Sequence, residues 1–450
     1  MFENKKIFIL GMARSGTSCA KLLIKMGCSV LLNDFKEEKT HDQDQIKELK
    51  DLGVEFVFGS HPDDLLDSSF DYLIKNPGIR NDHKYVSLAE SLGIEVINEV
   101  ELAYRLLPKD VCIIGITGTN GKTTTTTLTY KILHEYYGDR VHLAGNIGYP
   151  LCDILRKVKS GDILVMEISC QQSVNLVKFQ PTISLLTNYS PAHIDFLGTY
   201  ENYKFVKSKM FRNQKDTDLA ILNFENSDVM DELKDIKSQI KYFSSKREIG
   251  GGYLKDGSIY YYDDKVMDIC DIKIPGLHNV ENCICAITIC KELDVDNDTI
   301  CKVISSFSGV EHRLEYVLTV RGVRYYNDTE ATNIKCSQIA LSSFNEPTIL
   351  ILGGLERGQN FDDLKPYLTY VKAIVGIGEC RDRVLDFGSR MEIDTYIYEY
   401  LPDAFTKIKE IAESGDVVLL SPASASWDQY KECEIRGAEF KKLVQDLDGE

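Results

Sequence analysis

The residues best equipped for chemistry lie between positions 118 and 209. Gly118-Thr119-Asn120-Gly121-Lys122-Thr123-Thr124 follows an apolar run at 111–116 and opens a stretch of helical pattern at 122–136. In such a turn, glycines let backbone N–H groups face inward around phosphates, lysine offsets phosphate charge, and a threonine hydroxyl can ligate Mg²⁺. The longer form of this motif asks for glycine where Ile116 stands, so the shorter GTxGKT form is the one that fits. Five consecutive threonines, at 123–127, then enter the helix although branched side chains lose rotamer freedom there. A local breach of propensity of this kind marks a functional site.

Glu167 closes the apolar run 163–166, at the end of a strand where open α/β sheets hold their ligands. Such an acid can hold Mg²⁺ beside the loop. Another apolar run, 183–186, leads to Thr187, Asn188, His193 and Asp195, and Tyr203-Lys204-Phe205-Val206-Lys207-Ser208-Lys209 follows with helical spacing. Taken singly, Glu167 reads as a solvated strand end, His193 as a structural imidazole and the lysines as a solvated face. Their company with the glycine loop argues for a site.

The elements that must position these groups show βαβ rhythm. Short apolar runs at 6–10, 30–33, 54–58, 72–75 and 96–97 alternate with helical stretches, which predicts a mostly parallel sheet. The first turn, Gly11 to Gly16, precedes a helix expected over 17–26, and Asp34 ends the next strand. That is either a dinucleotide fingerprint lacking its middle glycine or a plain tight turn. A second unit runs from 111 through strands at 163–166, 183–186 and 219–222, a β-rich patch at 240–274 and a helix at 279–293. A third begins near His312-Arg313, with strands at 348–354, 373–378 and 417–421. The expected architecture is α/β with three domains, 1–108, 109–309 and 310–450. The outer two are Rossmann-like, and the central one is a phosphate-loop ATPase domain with a mostly parallel sheet.

A formal charge of −17 argues against nucleic acid or an anionic membrane as partner. The amino-terminal apolar run is too short for a signal peptide and no run of 18 apolar residues occurs, so a cytoplasmic protein is expected. Thirteen scattered cysteines read as reduced core residues; Cys283 and Cys285 are close but lack a second ligand pair.

Gly118-Thr-Asn-Gly-Lys-Thr-Thr124, Glu167, His193, Gly276-Leu-His-Asn279-Val-Glu-Asn282, His312-Arg313 and Asn327-Asp328 occur in an order that resembles the Mur ligases over essentially the whole chain. These are the ATP-dependent amino-acid ligases of peptidoglycan precursor synthesis. Within the family, the small amino-terminal unit and Ser421-Pro-Ala-Ser-Ala-Ser426-Trp-Asp-Gln-Tyr430 most resemble the branch that adds D-glutamate to UDP-N-acetylmuramoyl-L-alanine. Other branches of the family, and folylpolyglutamate synthase, are the near alternatives.

The resemblance implies roles. Lys122 and Thr123 would hold ATP phosphates and Mg²⁺, Glu167 one Mg²⁺, His193 a second, and Lys207 would carry a carbamate that also ligates metal. Asn279 and Asn282 would face the adenine, with Arg313 and Asp328 reaching the γ-phosphate and ribose. Arg14, Ser15, Asp34, Phe35, Lys36, Asn76 and Gly78 match the pocket for the uridine diphosphate part, and Asn146 a further contact to the same substrate. Thr332, Arg357 and Ser426 match positions around D-glutamate, whose two carboxylates call for cationic and hydroxyl partners. A monomer that closes about hinges near 108 and 310 is implied as well. Two departures stand out: the family usually has lysine where this chain has Glu330, and commonly phenylalanine where it has Cys433.

Overall fold

The computed structural model describes residues 2–449. Among these residues, twenty strands form three sheets. The first holds β1 (Lys6–Leu10), β2 (Ser29–Asp34), β3 (Glu55–Phe58), β4 (Tyr72–Lys75) and β5 (Glu95–Ile97), in the order 3-2-1-4-5 and parallel throughout. The order reverses beside β1, which puts the turn after Leu10 at a topological switch point, the usual ligand position of such sheets.

The second sheet holds β6 (Cys112–Thr117), β7 (Val141–Gly145), β8 (Ile163–Glu167), β9 (Ile183–Leu186), β10 (Leu219–Asn223), β11 (Gln239–Ser244), β12 (Gly251–Lys255), β13 (Ser258–Tyr261) and β14 (Asp264–Asp268). Its order is 14-13-12-11-10-9-6-8-7. From β7 to β12 the pairings are parallel, and β12 meets β13 antiparallel. Ile113, Ile114, Leu164, Val165, Met166 and Leu185 are buried. Strands covered on both faces need continuous apolar runs of this kind rather than alternation.

The third sheet holds β15 (Glu315–Val320), β16 (Val323–Asn327), β17 (Thr348–Gly353), β18 (Val371–Ile377), β19 (Asp394–Ile397) and β20 (Val417–Leu420), in the order 15-16-20-17-18-19. β15 and β16 form an antiparallel hairpin; the rest is parallel. The chain divides into two compact units. One contains everything up to Met267 together with Asn282–Ile300, and the other contains Asp268–Glu281 and everything from Cys301.

The first and second sheets lie in the same unit and are fastened by buried polar groups. Glu101, in the helix Glu99–Tyr104, is fully buried and accepts N–H bonds from Val177, Lys178 and Phe179 at 2.9–3.0 Å. Arg105 Nε neutralises it at 2.7 Å, and Asn98 Nδ2 reaches Gln172 O at 2.5 Å. The first helix starts at Arg14, three residues before the sequence expectation, because Ala13 supplies extended backbone and no side-chain cap to read. Strands β7 and β19 and the β15–β16 hairpin were not anticipated. The helix expected over 279–293 is Leu277–Lys291.

Candidate functional site

The loop after β6 turns into the helix Lys122–Tyr137 through two glycines that no other residue could replace without strain. Gly118 has φ 145° and a Cβ there would lie 1.9 Å from Thr187 Oγ1; Gly121 has φ 81° and its Cβ would meet Asn282 Oδ1 at 2.2 Å. The loop backbone is held by the segment after β9: Thr119 N donates to Asn188 O at 2.9 Å and Asn120 N to Asn188 Oδ1 at 3.0 Å. Thr119 Oγ1 lies 2.8 Å from Tyr203 OH. Lys122 Nζ donates to Thr119 O at 2.9 Å, and Thr125 Oγ1 to Asn282 Oδ1 at 3.3 Å. The threonine run is helical throughout, and Thr125 and Thr126 are buried, so branched side chains there fill space against the strands behind the loop.

Glu167, at the end of β8, is 1% exposed. Its Oε1 accepts from Asn146 Nδ2 at 2.7 Å, whereas Oε2 has no hydrogen-bond partner among the described residues. A buried carboxylate oxygen without a partner is costly unless a cation completes it, so the donor set fits a hard divalent ion. Lys207, on the helix Tyr200–Arg212, is 2% exposed and donates to Gly118 O at 2.7 Å and Thr117 Oγ1 at 3.2 Å. Burial, with the Lys122 charge second, pulls its pKa down to about 7. The ammonium form therefore loses most of its usual advantage near neutral pH. His193 has φ 52° and its ring stacks on Tyr203 with centroids 6.4 Å apart. Burial and the charges of Lys207 and Lys122 lower its pKa, which favours the neutral ring that metals require.

A cleft of about 410 Å³ opens where the first and second sheets meet, lined by Arg14, Ser15, Asn76, Gly78 and Asn146 among others. Arg14 Nη2 donates to Gly148 O at 2.7 Å and Asn76 Nδ2 to Ser15 Oγ at 3.1 Å. Asp34, Phe35 and Lys36 lie outside these walls. Asp34 accepts N–H bonds from Met12 at 2.6 Å and Lys36 at 2.8 Å, and Phe35 is 69% exposed. Asn146 belongs both to the cleft and, through Glu167, to the loop site. Sequence reasoning missed Glu99, which also lines the cleft. It is buried, accepts from Cys152 N at 2.6 Å, and burial pushes its pKa up to about 7. The only signal was a pair of acids at a helix start.

In the second unit, Asp328 follows β16, accepts from Ser421 Oγ at 2.8 Å and Leu314 N at 3.1 Å, and is pushed up to about 7 by burial. Arg313 Nη2 stands 3.6 Å from Glu330 Oε2. Asn279 Nδ2 donates to Pro275 O at 2.7 Å. Arg357 lies over the Trp427 ring, 4.6 Å from its centroid, and the neighbouring Ser426 is buried with an Oγ lacking a partner among the described residues. Thr332 N donates to Glu330 O at 2.8 Å. Burial and the neighbouring carboxylates of Glu330 and Glu434 push the Cys433 thiol up to about 11.

The family model for the Mur ligase middle domain matches residues 116–290, and that for the Mur ligase MurD-like N-terminal domain matches residues 5–98. The chain is 43% identical over 453 residues, covering 99% of itself and 98% of the relative, to a UDP-N-acetylmuramoylalanine–D-glutamate ligase of Geobacillus kaustophilus. It is 42% identical, covering 99% of itself and 97% of the relative, to the ligase of the same name from Enterococcus hirae. Among solved structures, the UDP-N-acetylmuramate–alanine ligase of Thermotoga maritima shares the fold at TM-score 0.57 and 18% identity, with 98% of each chain covered. The MurF ligase of the same organism, solved in complex with ADP, does so at TM-score 0.57 and 17% identity, again with 98% of each chain covered.

Proposed function

The chain belongs to the Mur ligase family, and from that premise we infer that it joins D-glutamate to UDP-N-acetylmuramoyl-L-alanine in an ATP-dependent step of peptidoglycan precursor synthesis. The observation that carries this reading is the buried Lys207 amine held against the phosphate loop, beside a buried Glu167 with an unsatisfied oxygen. It occurs in a chain that aligns with D-glutamate ligases along 99% of its length.

A carboxylate is a poor electrophile, so it must first be activated. The L-alanyl carboxylate attacks the γ-phosphorus of ATP and ADP leaves; the D-glutamate amine then attacks the acyl phosphate, phosphate leaves, and the amine proton passes to solvent. The glycine-loop amides and Lys122 hold and align the phosphates, with catalysis mostly positioning and electrostatics. Arg14, Ser15, Asn76 and Gly78 seat the nucleotide-sugar end, and Asn146 presents its far end toward Glu167. A neutral Lys207 amine adds CO₂, giving a carbamate and a proton and turning a cation into an oxygen ligand. Two Mg²⁺ ions, held by Thr123, Glu167, His193 and that carbamate, would supply Lewis-acid neutralisation of the transferring phosphoryl group. Arg313 and Asp328 serve the nucleotide, and Thr332, Arg357 and Ser426 the incoming amino acid.

Phosphate release with UDP-N-acetylmuramoyl-L-alanine, run against D-glutamate, L-alanine, L-lysine and D-alanyl-D-alanine, tests the assignment. D-glutamate alone should support turnover. The carboxylate of Glu330 favours a cationic amino acid as the second reading, so release with L-lysine in place of D-glutamate would overturn the first.

A further inference from the structure

The two positions that depart from the family's usual residues come together in the second unit. Glu330 follows β16, and Cys433 and Glu434 open the helix Cys433–Asp448. One ligand atom from each lies within 4.8 Å of the other two, and Cys433 Sγ is already 3.4 Å from Glu434 Oε2. Ligands of a tetrahedral Zn²⁺ stand about 3.3–3.8 Å from one another, given bonds of about 2.0–2.3 Å. Side-chain shifts of about 1 Å therefore close the set around an ion.

The backbones that carry these ligands are already fixed. Thr329 Oγ1 donates to Cys433 O at 2.9 Å and Glu330 N to His312 O at 3.2 Å, while Arg436 Nε donates to Thr329 Oγ1 at 2.9 Å. Such support from behind is what a metal site needs. The cations that face the cluster leave its charge incompletely matched. Arg313 stands 3.6 Å from Glu330, and Arg436 directs Nη2 to the carbonyls of Thr329 and Ser424. Arg436 is 1% exposed, lies one turn along the helix from Cys433, and its Nη1 has no partner among the described residues.

We propose that Glu330, Cys433 and Glu434 hold one borderline-soft divalent cation of the Zn²⁺ class, whose fourth position takes a carboxylate of the incoming amino acid. A thiolate with two carboxylates selects such an ion over Mg²⁺. Binding breaks the Cys433 S–H bond, forms a sulfur–metal bond and releases the proton to solvent, with no change of oxidation state. The ion restores the positive charge that Glu330 takes away. Only the fourth ligand rests on the ligase reading.

The test is a Co²⁺ titration of the metal-free full chain, because thiolate ligation of Co²⁺ gives a near-ultraviolet charge-transfer band. The band should saturate at one equivalent, vanish in Cys433→Ser, need at least about tenfold more Co²⁺ in Glu330→Gln, and be displaced by Zn²⁺. No band at one equivalent, or a band that survives in Cys433→Ser because another cysteine supplies it, overturns the site. Adding D-glutamate should change the visible Co²⁺ spectrum, and an unchanged spectrum overturns the fourth ligand. The titration needs neither ATP nor turnover, so its failure leaves the ligase reading standing, and a ligase assay that fails leaves the metal result standing.

Discussion

Burial decides what Lys207 can do. With Lys207 2% exposed and its pKa drawn down to about 7, the uncharged amine is well populated near neutral pH, and only the uncharged amine adds CO₂. The sign follows directly: the charged, unreactive form predominates below about pH 7 and the neutral form above it. Enzyme stripped of CO₂ should therefore regain activity on adding bicarbonate more fully at about pH 8 than at about pH 6. Lys207→Ala should lose at least about 10²-fold in kcat at either pH and show no bicarbonate response. Undiminished turnover of that variant, or full activity of wild type without CO₂, would remove the carbamate from the mechanism. Glu167 and His193 were legible beside the loop because each ends an apolar strand or follows one. That Asn188 and Tyr203 hold the loop was not, since their contacts span 68 and 84 positions and leave no local pattern.

Elements show the same division. β1, β4 and β9 have the bounds that their apolar runs predict, because a strand buried on both faces writes itself as a continuous hydrophobic run. The β15–β16 hairpin escaped notice: Tyr325 and Tyr326 are both buried while Arg324 is half-exposed, and a bulge lies between Tyr316 and Leu318, so alternation is blurred. The helix Glu99–Tyr104 is six residues long and gives little periodicity, yet it fastens two sheets. Glu101→Gln there keeps the shape and removes a charge that satisfies three amides and Arg105. Breaking a buried pair of this kind costs about 3–5 kcal/mol, so the urea midpoint followed by circular dichroism should fall clearly. A midpoint equal to wild type would show that the clasp contributes nothing to stability.

Across the whole molecule, ligand binding and stability are one measurement. ATP with Mg²⁺ at a hundredfold excess over its Kd should add about 2.7 kcal/mol to the first unit and raise its Tm, whereas NAD should do nothing. An equal shift with NAD would revive the dinucleotide reading of the Gly11–Gly16 turn. That turn shows the limit of sequence at this scale: by itself it reads as a dinucleotide fingerprint lacking its middle glycine or as a plain tight turn, and only motifs far along the chain, through the resemblance they carry, made it a candidate nucleotide-sugar pocket. Asn146 has one more consequence. Its amide stands in the cleft wall while its Nδ2 is committed to Glu167. An occupant of the cleft that turns this amide changes the acceptor strength left to Glu167, and an ion on Glu167 changes how firmly the amide is held. Equilibrium coupling is reciprocal: whatever factor the first ligand applies to the second is returned in full, so the occupancies of cleft and ion site are tied to each other through a single asparagine.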